Sequence, residues 1–226
     1  MDRRLLVLVV AVVALIGVVN ATAFAYRWMT GTVDISGPSG VTGAACTGFY
    51  SIVDQPDISG YLPRAGSNAG APTYGGNSIT VEPSNPVCQW TNETSNNPVQ
   101  LYESIDVSIP ITVGSWYIQD FYGFGYYSGS DPVYVWFRLE DDATYGGYLT
   151  TAKLVIYKVD SSGTVTYVTE LDLLGSSGTY VSAGSLNPGE AFRLDLRFDA
   201  YSAGTVSFKV GVYVSQENEA PVSPTP

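Results

Sequence analysis

The chain has no histidine, only ten lysines and arginines against 21 acidic residues, and two cysteines. After its N-terminal apolar run it also lacks any stretch with helical periodicity. Without histidine, the commonest general acid–base group and the commonest transition-metal ligand are gone. HExxH zinc sites and histidine-containing triads are excluded with them. Paired carboxylates remain open to an enzyme, but Asp172, Glu190, Asp195 and Asp199 fall at turns or on the expected solvent faces of strands. The chain reads as non-enzymatic, with no cofactor and no metal. A formal charge of −11 argues against nucleic acid and anionic lipid as partners, since both require basic surface. Charged groups are sparse, at 14%. Gly, Ser, Thr, Tyr and Val take their place.

The N-terminus has the layout of a secretory signal. Asp2-Arg3-Arg4 precede an apolar run from Leu5 to Val19, and Ala21-Thr22-Ala23 offers a small-x-small cleavage site. The run is short for a membrane span, which needs roughly 20 apolar residues. A retained anchor is the alternative, and the only contact with a membrane expected is through the uncleaved segment. A helical core of the type IV pilin kind ranks last, because Arg4-Leu5 lacks the small residue expected before such a cut. With residues 1–23 removed, 8 basic and 20 acidic residues remain. In an oxidising compartment the even pair Cys46 and Cys88 is expected to form a disulfide, worth about 4 kcal/mol by loop closure.

Beyond the N-terminal run, strand periodicity dominates. From Phe192 to Asp199 every even position is apolar and every odd position charged. Val206, Phe208, Val210, Val212 and Val214 repeat the pattern, as do Val133, Val135, Phe137 and Leu139. Lys153–Val159 and Thr164–Leu171 form a hairpin across Asp160-Ser161-Ser162-Gly163. Gln100–Ile109 and Trp116–Tyr122 supply further strands. The expected fold is all-β: a jelly-roll-like β-sandwich over residues 37–214, preceded by an extended N-terminal strand at residues 24–36. Residues 37–98, rich in Gly, Pro, Asn and Ser, read as a loop-rich insertion, and residues 215–226 as a flexible Pro-rich tail.

Three features invite a functional reading. The aromatic stretch from Trp116 to Phe137 suits a sugar-stacking platform, though core and cross-strand packing is the plainer use. Glu140-Asp141-Asp142, in an expected turn, could ligate Ca²⁺, but without EF-hand spacing a solvated loop is the better reading. Asn92-Glu93-Thr94 is a glycosylation sequon in a polar segment, so Asn92 is expected on the surface.

Two ends of the chain resemble the TasA/camelysin family of secreted fibre proteins. The first is Ala23-Phe24-Ala25-Tyr26 running into Gly31-Thr32-Val33-Asp34-Ile35-Ser36, and the second is the turn Leu186-Asn187-Pro188-Gly189-Glu190 before the strand Phe192–Phe198. Thr205–Val214 then closes the domain. About a quarter of the chain carries this match, and archaeal bundling pilins are the nearest type. The resemblance implies a secreted, cell-surface filament subunit that polymerises by donor-strand complementation. Phe24, Trp28, Thr32, Val33 and Ile35 would be the donor residues, and Phe192, Leu194, Leu196, Val206, Phe208 and Val210 the acceptor groove. Its partners would be copies of itself, with neighbouring filaments or cell surfaces beyond. The metalloprotease activity attached to some members is not carried over, since no HExxH is present. The competing reading is a monomeric carbohydrate-binding or adhesin module with the first strand tucked into its own sheet.

Overall fold

The computed structural model describes residues 45–73, 77–145 and 147–221, with Asp142 described by its backbone alone. The donor-strand residues Phe24, Trp28, Thr32, Val33 and Ile35 lie outside these. Ten strands follow in order: β1 Cys46–Tyr50, β2 Thr80–Thr91, β3 Pro98–Ile111, β4 Gly114–Ser128, β5 Val133–Thr144, β6 Leu149–Val159, β7 Val165–Asp172, β8 Tyr180–Leu186, β9 Ala191–Ala200 and β10 Gly204–Ser215. Among the described residues the one helical element is a 3-10 turn at Pro56–Gly60, and no helix is long and apolar enough to cross a membrane.

The hydrogen-bonded path runs β7-β6-β9-β4-β1-β3-β10-β5-β8, with β2 on the outer flank of β3. The path doubles back on itself, and its end strands β7 and β8 lie against each other. The result is an all-β sandwich approaching a closed barrel. Alternation explains its core: Phe192, Leu194, Leu196 and Phe198 of β9 face Val206, Phe208 and Val210 of β10 in one buried cluster. Four rings from four strands meet at its centre. Phe124 and Phe137 lie edge-on to Phe49 at 5.3 and 6.1 Å, and Phe192 stands 5.8 Å from Phe137. Edge-to-face contacts of this kind add about 0.5–1.5 kcal/mol each beyond burial.

The segment expected to be a loop-rich insertion contains two strands. β1 lies inside the sandwich, pairing β4 from Cys46↔Ser128 to Tyr50↔Gly123 and meeting β3 at Phe49↔Tyr102. Composition hid it, because only Phe49 of its five residues points into the main core. β2 runs twelve residues despite Pro83 and Pro86, which an edge strand tolerates because its outer flank needs no ladder donors. The intervening loop folds onto the outer face of β4. There a Cβ on Gly123 would stand 2.7 Å from Ala65 Cβ, and one on Gly125 would stand 2.5 Å from Leu62 Cδ1. Bare backbone is what lets the loop lie flat.

The disulfide sits beneath this loop in a second, smaller core with Tyr50, Ile58, Leu62 and Trp90. Cys46 and Cys88 have Cα atoms 5.9 Å apart and close a loop across 42 residues of sequence. Alkylation of undenatured protein is expected to label neither cysteine until a reductant is added. Cys88→Ala is expected to lower unfolding free energy by about 4 kcal/mol, read from urea midpoints; a loss under about 1 kcal/mol would contradict this.

Two charged segments depart from expectation. Glu140-Asp141-Asp142 continues β5 and forms no turn; Asp141 pairs with Lys209 in the β10 ladder. Asp195, expected on a solvent face, is fully buried. At the other expected turn, Glu190 accepts from the Asn187 N–H at 2.7 Å and ion-pairs with Lys158 at 2.8 Å. Burial works against the charge there, but Lys158 and Asn187 hold the Glu190 carboxyl below its ordinary range. Of the C-terminal tail, residues 216–221 carry no regular structure, yet Pro221 is held by a hydrogen bond from the Tyr180 hydroxyl.

Candidate functional site

The six residues assigned to an acceptor groove, Phe192, Leu194, Leu196, Val206, Phe208 and Val210, are all buried in the subunit's own core. β9 is flanked by β4 and β6, so it offers no free edge. Their placement as open walls is therefore corrected: strict alternation marks a face turned toward a core, and a filled core looks the same as a groove in sequence. β10 differs at one end. It pairs β3 from Gly204↔Ile111 to Gly211↔Ser104 and β5 from Ser207 to Ser215. Beyond Ser104, β3 passes from β10 to β1 at Tyr102. Among the described residues, Val212–Ser215 therefore lie on a ladder along the β5 side alone, and half-buried Val212 and Val214 rest on the core.

The dense aromatic stretch divides between several environments. Phe121, Tyr122, Phe124, Tyr126, Trp136 and Phe137 are buried. Tyr127 stacks on Trp90 at 4.0 Å with Tyr61 edge-on to both, so the Trp90 face is covered. Tyr117 is the outlier, with 53% of its surface exposed.

Tyr117 belongs to a row of three rings, from β4, β6 and β7, that crosses the outer face of the sheet over the intervening β9. Its hydroxyl lies 3.1 Å from that of Tyr157, and Tyr157 meets Tyr167 edge-on at 5.8 Å. Tyr167 is 56% exposed. The row is held by buried Asp195, which accepts from the Tyr117 hydroxyl at 2.6 Å, from the Asp120 N–H at 2.8 Å and from Arg193 through two nitrogens at 3.0 and 3.1 Å. Arg193 also lies over the Tyr157 ring at 4.7 Å. The Tyr117 hydroxyl is pushed well above its usual range by the tucked-in setting of its tip, then by its bonds to Asp195 and Tyr157. It stays a donor.

No family model matches this chain, and no curated protein does. Among solved structures it is similar to TmCBM61, described in complex with β-1,4-galactotriose. That likeness has 14% identity and a TM-score of 0.25, and covers 70% of this chain and 98% of the other. A superposition that loose assigns neither a site nor a function.

Asp120 organises the space beside the tyrosine row. β4 shifts register between Ile118 and Tyr122, and Asp120 sits in that irregularity with φ of 51°. Its carboxylate accepts from the Gly66 N–H at 2.9 Å and the Ser67 N–H at 3.3 Å, pinning the loop after the 3-10 turn. Between that loop and the β6–β7 turn runs a groove of about 960 Å³, bordered by Arg64, Asn68, Gln119, Ser162, Val165 and Arg193. Sequence reasoning missed this groove. No sequence signal was available, because Asp195 occupies the same alternating charged position as Arg193, Arg197 and Asp199.

Among the described residues no cluster of carboxylates is arranged to hold a metal ion. Asn92 begins the β2–β3 turn, where its Oδ1 accepts from the Thr94 and Ser95 N–H groups at 2.8 and 3.2 Å. Its amide nitrogen reaches the Asp57 carbonyl at only 3.4 Å.

Proposed function

We propose that the chain is a non-catalytic structural subunit of an extracellular filament, in which residues 24–36 of one copy complete the sandwich of the next. The observation that supports this is the half-open end of β10. Among the described residues, Val212–Ser215 present backbone groups and two half-buried valines where the ladder to β3 has stopped. An extended segment carrying Val33 and Ile35 at alternate positions has the pattern to pair there and seat its side chains. Head-to-tail donation does not close on itself, so it builds a fibre suited to adhesion or biofilm. The disulfide fits an oxidising, extracellular setting. Negative-stain microscopy of secreted material tests the proposal: filaments are the expected result, and uniform monomers at high concentration would overturn it.

The second reading, a monomeric carbohydrate-binding or adhesin module, is favoured by the exposed tyrosine row. It predicts a stable monomer whose first strand pairs within its own sheet.

Asn92 is the expected attachment point for glycan during export, since it stands at a turn with a loosely held amide nitrogen. Deglycosylation under conditions that convert the linked Asn to Asp should shift the peptide containing Asn92. A map with only unmodified Asn92, from a host that has the transferase, would end this expectation.

A further inference from the structure

We propose that the groove between the 59–68 loop and the β6–β7 turn, with the tyrosine row beside it, binds a neutral oligosaccharide. This gives the second reading a site, yet it holds equally for a monomer or a subunit in a filament.

Three observations converge. The rings are both exposed and held in place: Tyr117 is tied to Asp195 and Tyr157, and Tyr157 is pinned beneath Arg193, while Tyr117 and Tyr167 remain more than half exposed. Aromatic side chains left on a surface and fixed there give apolar area at little entropic cost, which suits the C–H faces of sugar rings. Next, Val165 and Tyr167 stand two residues apart and so share one face of β7, and Val165 borders the groove together with Arg193, which lies over the Tyr157 ring. Finally, polar side chains line the groove: the Gln119 amide, and those of Asn68 and Ser162, which each donate one bond within the protein, to the Gln119 carbonyl and the Asp160 carboxylate, and keep their remaining capacity.

Charge selects among sugars. Arg64 and Arg193 on the groove are balanced by Asp120 and Asp160, and the chain as a whole carries −11. An anionic polymer would meet a repelling surface and no cationic concentration, whereas an uncharged polyhydroxylated chain meets paired donors and acceptors. The volume lies at the upper end of ordinary ligand sites, enough for several sugar units.

Affinity gel electrophoresis of the full secreted chain tests this, with soluble β-glucan, xylan and galactan as neutral probes and polygalacturonate as the acidic one. Retardation by at least one neutral polymer is expected. Tyr167→Ala and Tyr117→Ala should each weaken it by about tenfold. Tyr201→Ala, an exposed tyrosine on the β9–β10 turn, should change nothing. Thermal melts of each variant separate lost binding from lost fold, and Tyr167, tied to neither Asp195 nor the loop, is the safer of the two. No retardation by any neutral polymer, retardation by polygalacturonate alone, or wild-type binding by a folded Tyr167→Ala would each overturn the proposal. Filaments scored in the same samples report on strand exchange separately, so either idea can fail alone.

Discussion

Deleting residues 24–36 behind the signal cleavage site is expected to yield secreted, folded monomers that form no filaments at all. The described strands that build the core all lie within residues 46–215, so the sandwich should survive the deletion. What the deletion removes is the segment proposed to pair along Val212–Ser215 of a neighbour. A synthetic peptide of residues 24–36 should then bind the truncated protein and block assembly of the intact one. The contribution per junction can be bracketed. Burying Val33, Ile35 and one aromatic such as Phe24 or Trp28 yields roughly 1.5–3 kcal/mol each. Val33→Asp with Ile35→Asp should therefore raise the critical concentration for assembly by several orders of magnitude, because apolar seats would receive unpaired charge. Val214→Asp probes the receiving side and should show the same defect while leaving the peptide-donating end intact. Normal filaments from the truncated protein would refute the mechanism, as would peptide binding that Val214→Asp leaves untouched.

The second large effect concerns stability. Asp195→Ala is expected to lower unfolding free energy by about 3–5 kcal/mol, the usual scale for removing one partner of a buried ion pair. The carboxylate is fully buried and takes bonds from Arg193, Tyr117 and the Asp120 backbone. The Arg193 side chain is only 15% exposed, so its guanidinium would be left nearly buried without its anion. The loss should reach the loop as well, because Asp120 in its left-handed conformation holds Gly66 and Ser67. Urea unfolding gives the free energy, and at roughly 2–4 °C per kcal/mol the melting temperature should fall by about 6–20 °C. Arg193→Leu combined with Asp195→Leu should recover much of the loss, since neither charge is then stranded. A drop below about 1 kcal/mol in Asp195→Ala would show that the network is not what holds this face.

The strongest strands were legible for a simple reason. β9 and β10 alternate because one face of each carries apolar side chains into the core while the other carries mainly polar and charged ones outward from it. The β6–β7 hairpin was marked by its turn, where Asp160 Oδ1 accepts from the Ser162 and Thr164 N–H groups at 2.8 and 2.9 Å. β8 escaped notice because Tyr180–Leu186 has only two buried residues, Ala183 and Leu186. β1 escaped because it has core on both faces, Phe49 on one side and Cys46 with Tyr50 on the other, which removes the alternation.

The candidate site divides along the same line. The aromatic stretch was visible as composition, but which rings would be sealed and which left outward depends on neighbours distant in sequence. Tyr126 and Tyr127 are adjacent, yet one enters the main core and the other stacks on Trp90.

The sequence by itself determined the strand-rich architecture, the absence of histidine chemistry, the pairing of its only two cysteines and the acidic surface, because each follows from composition or from period-two patterning alone. Only the tertiary structure decided that Asp195 is buried, that the expected groove walls are interior, that among the described residues the end of β10 pairs on one side only, and that Arg193 links a groove to the tyrosine row. Those outcomes depend on which strand lies beside which. Ladder order places residues 75 or more positions apart, such as Asp120 and Asp195, within hydrogen-bonding distance, and no local pattern encodes that neighbour.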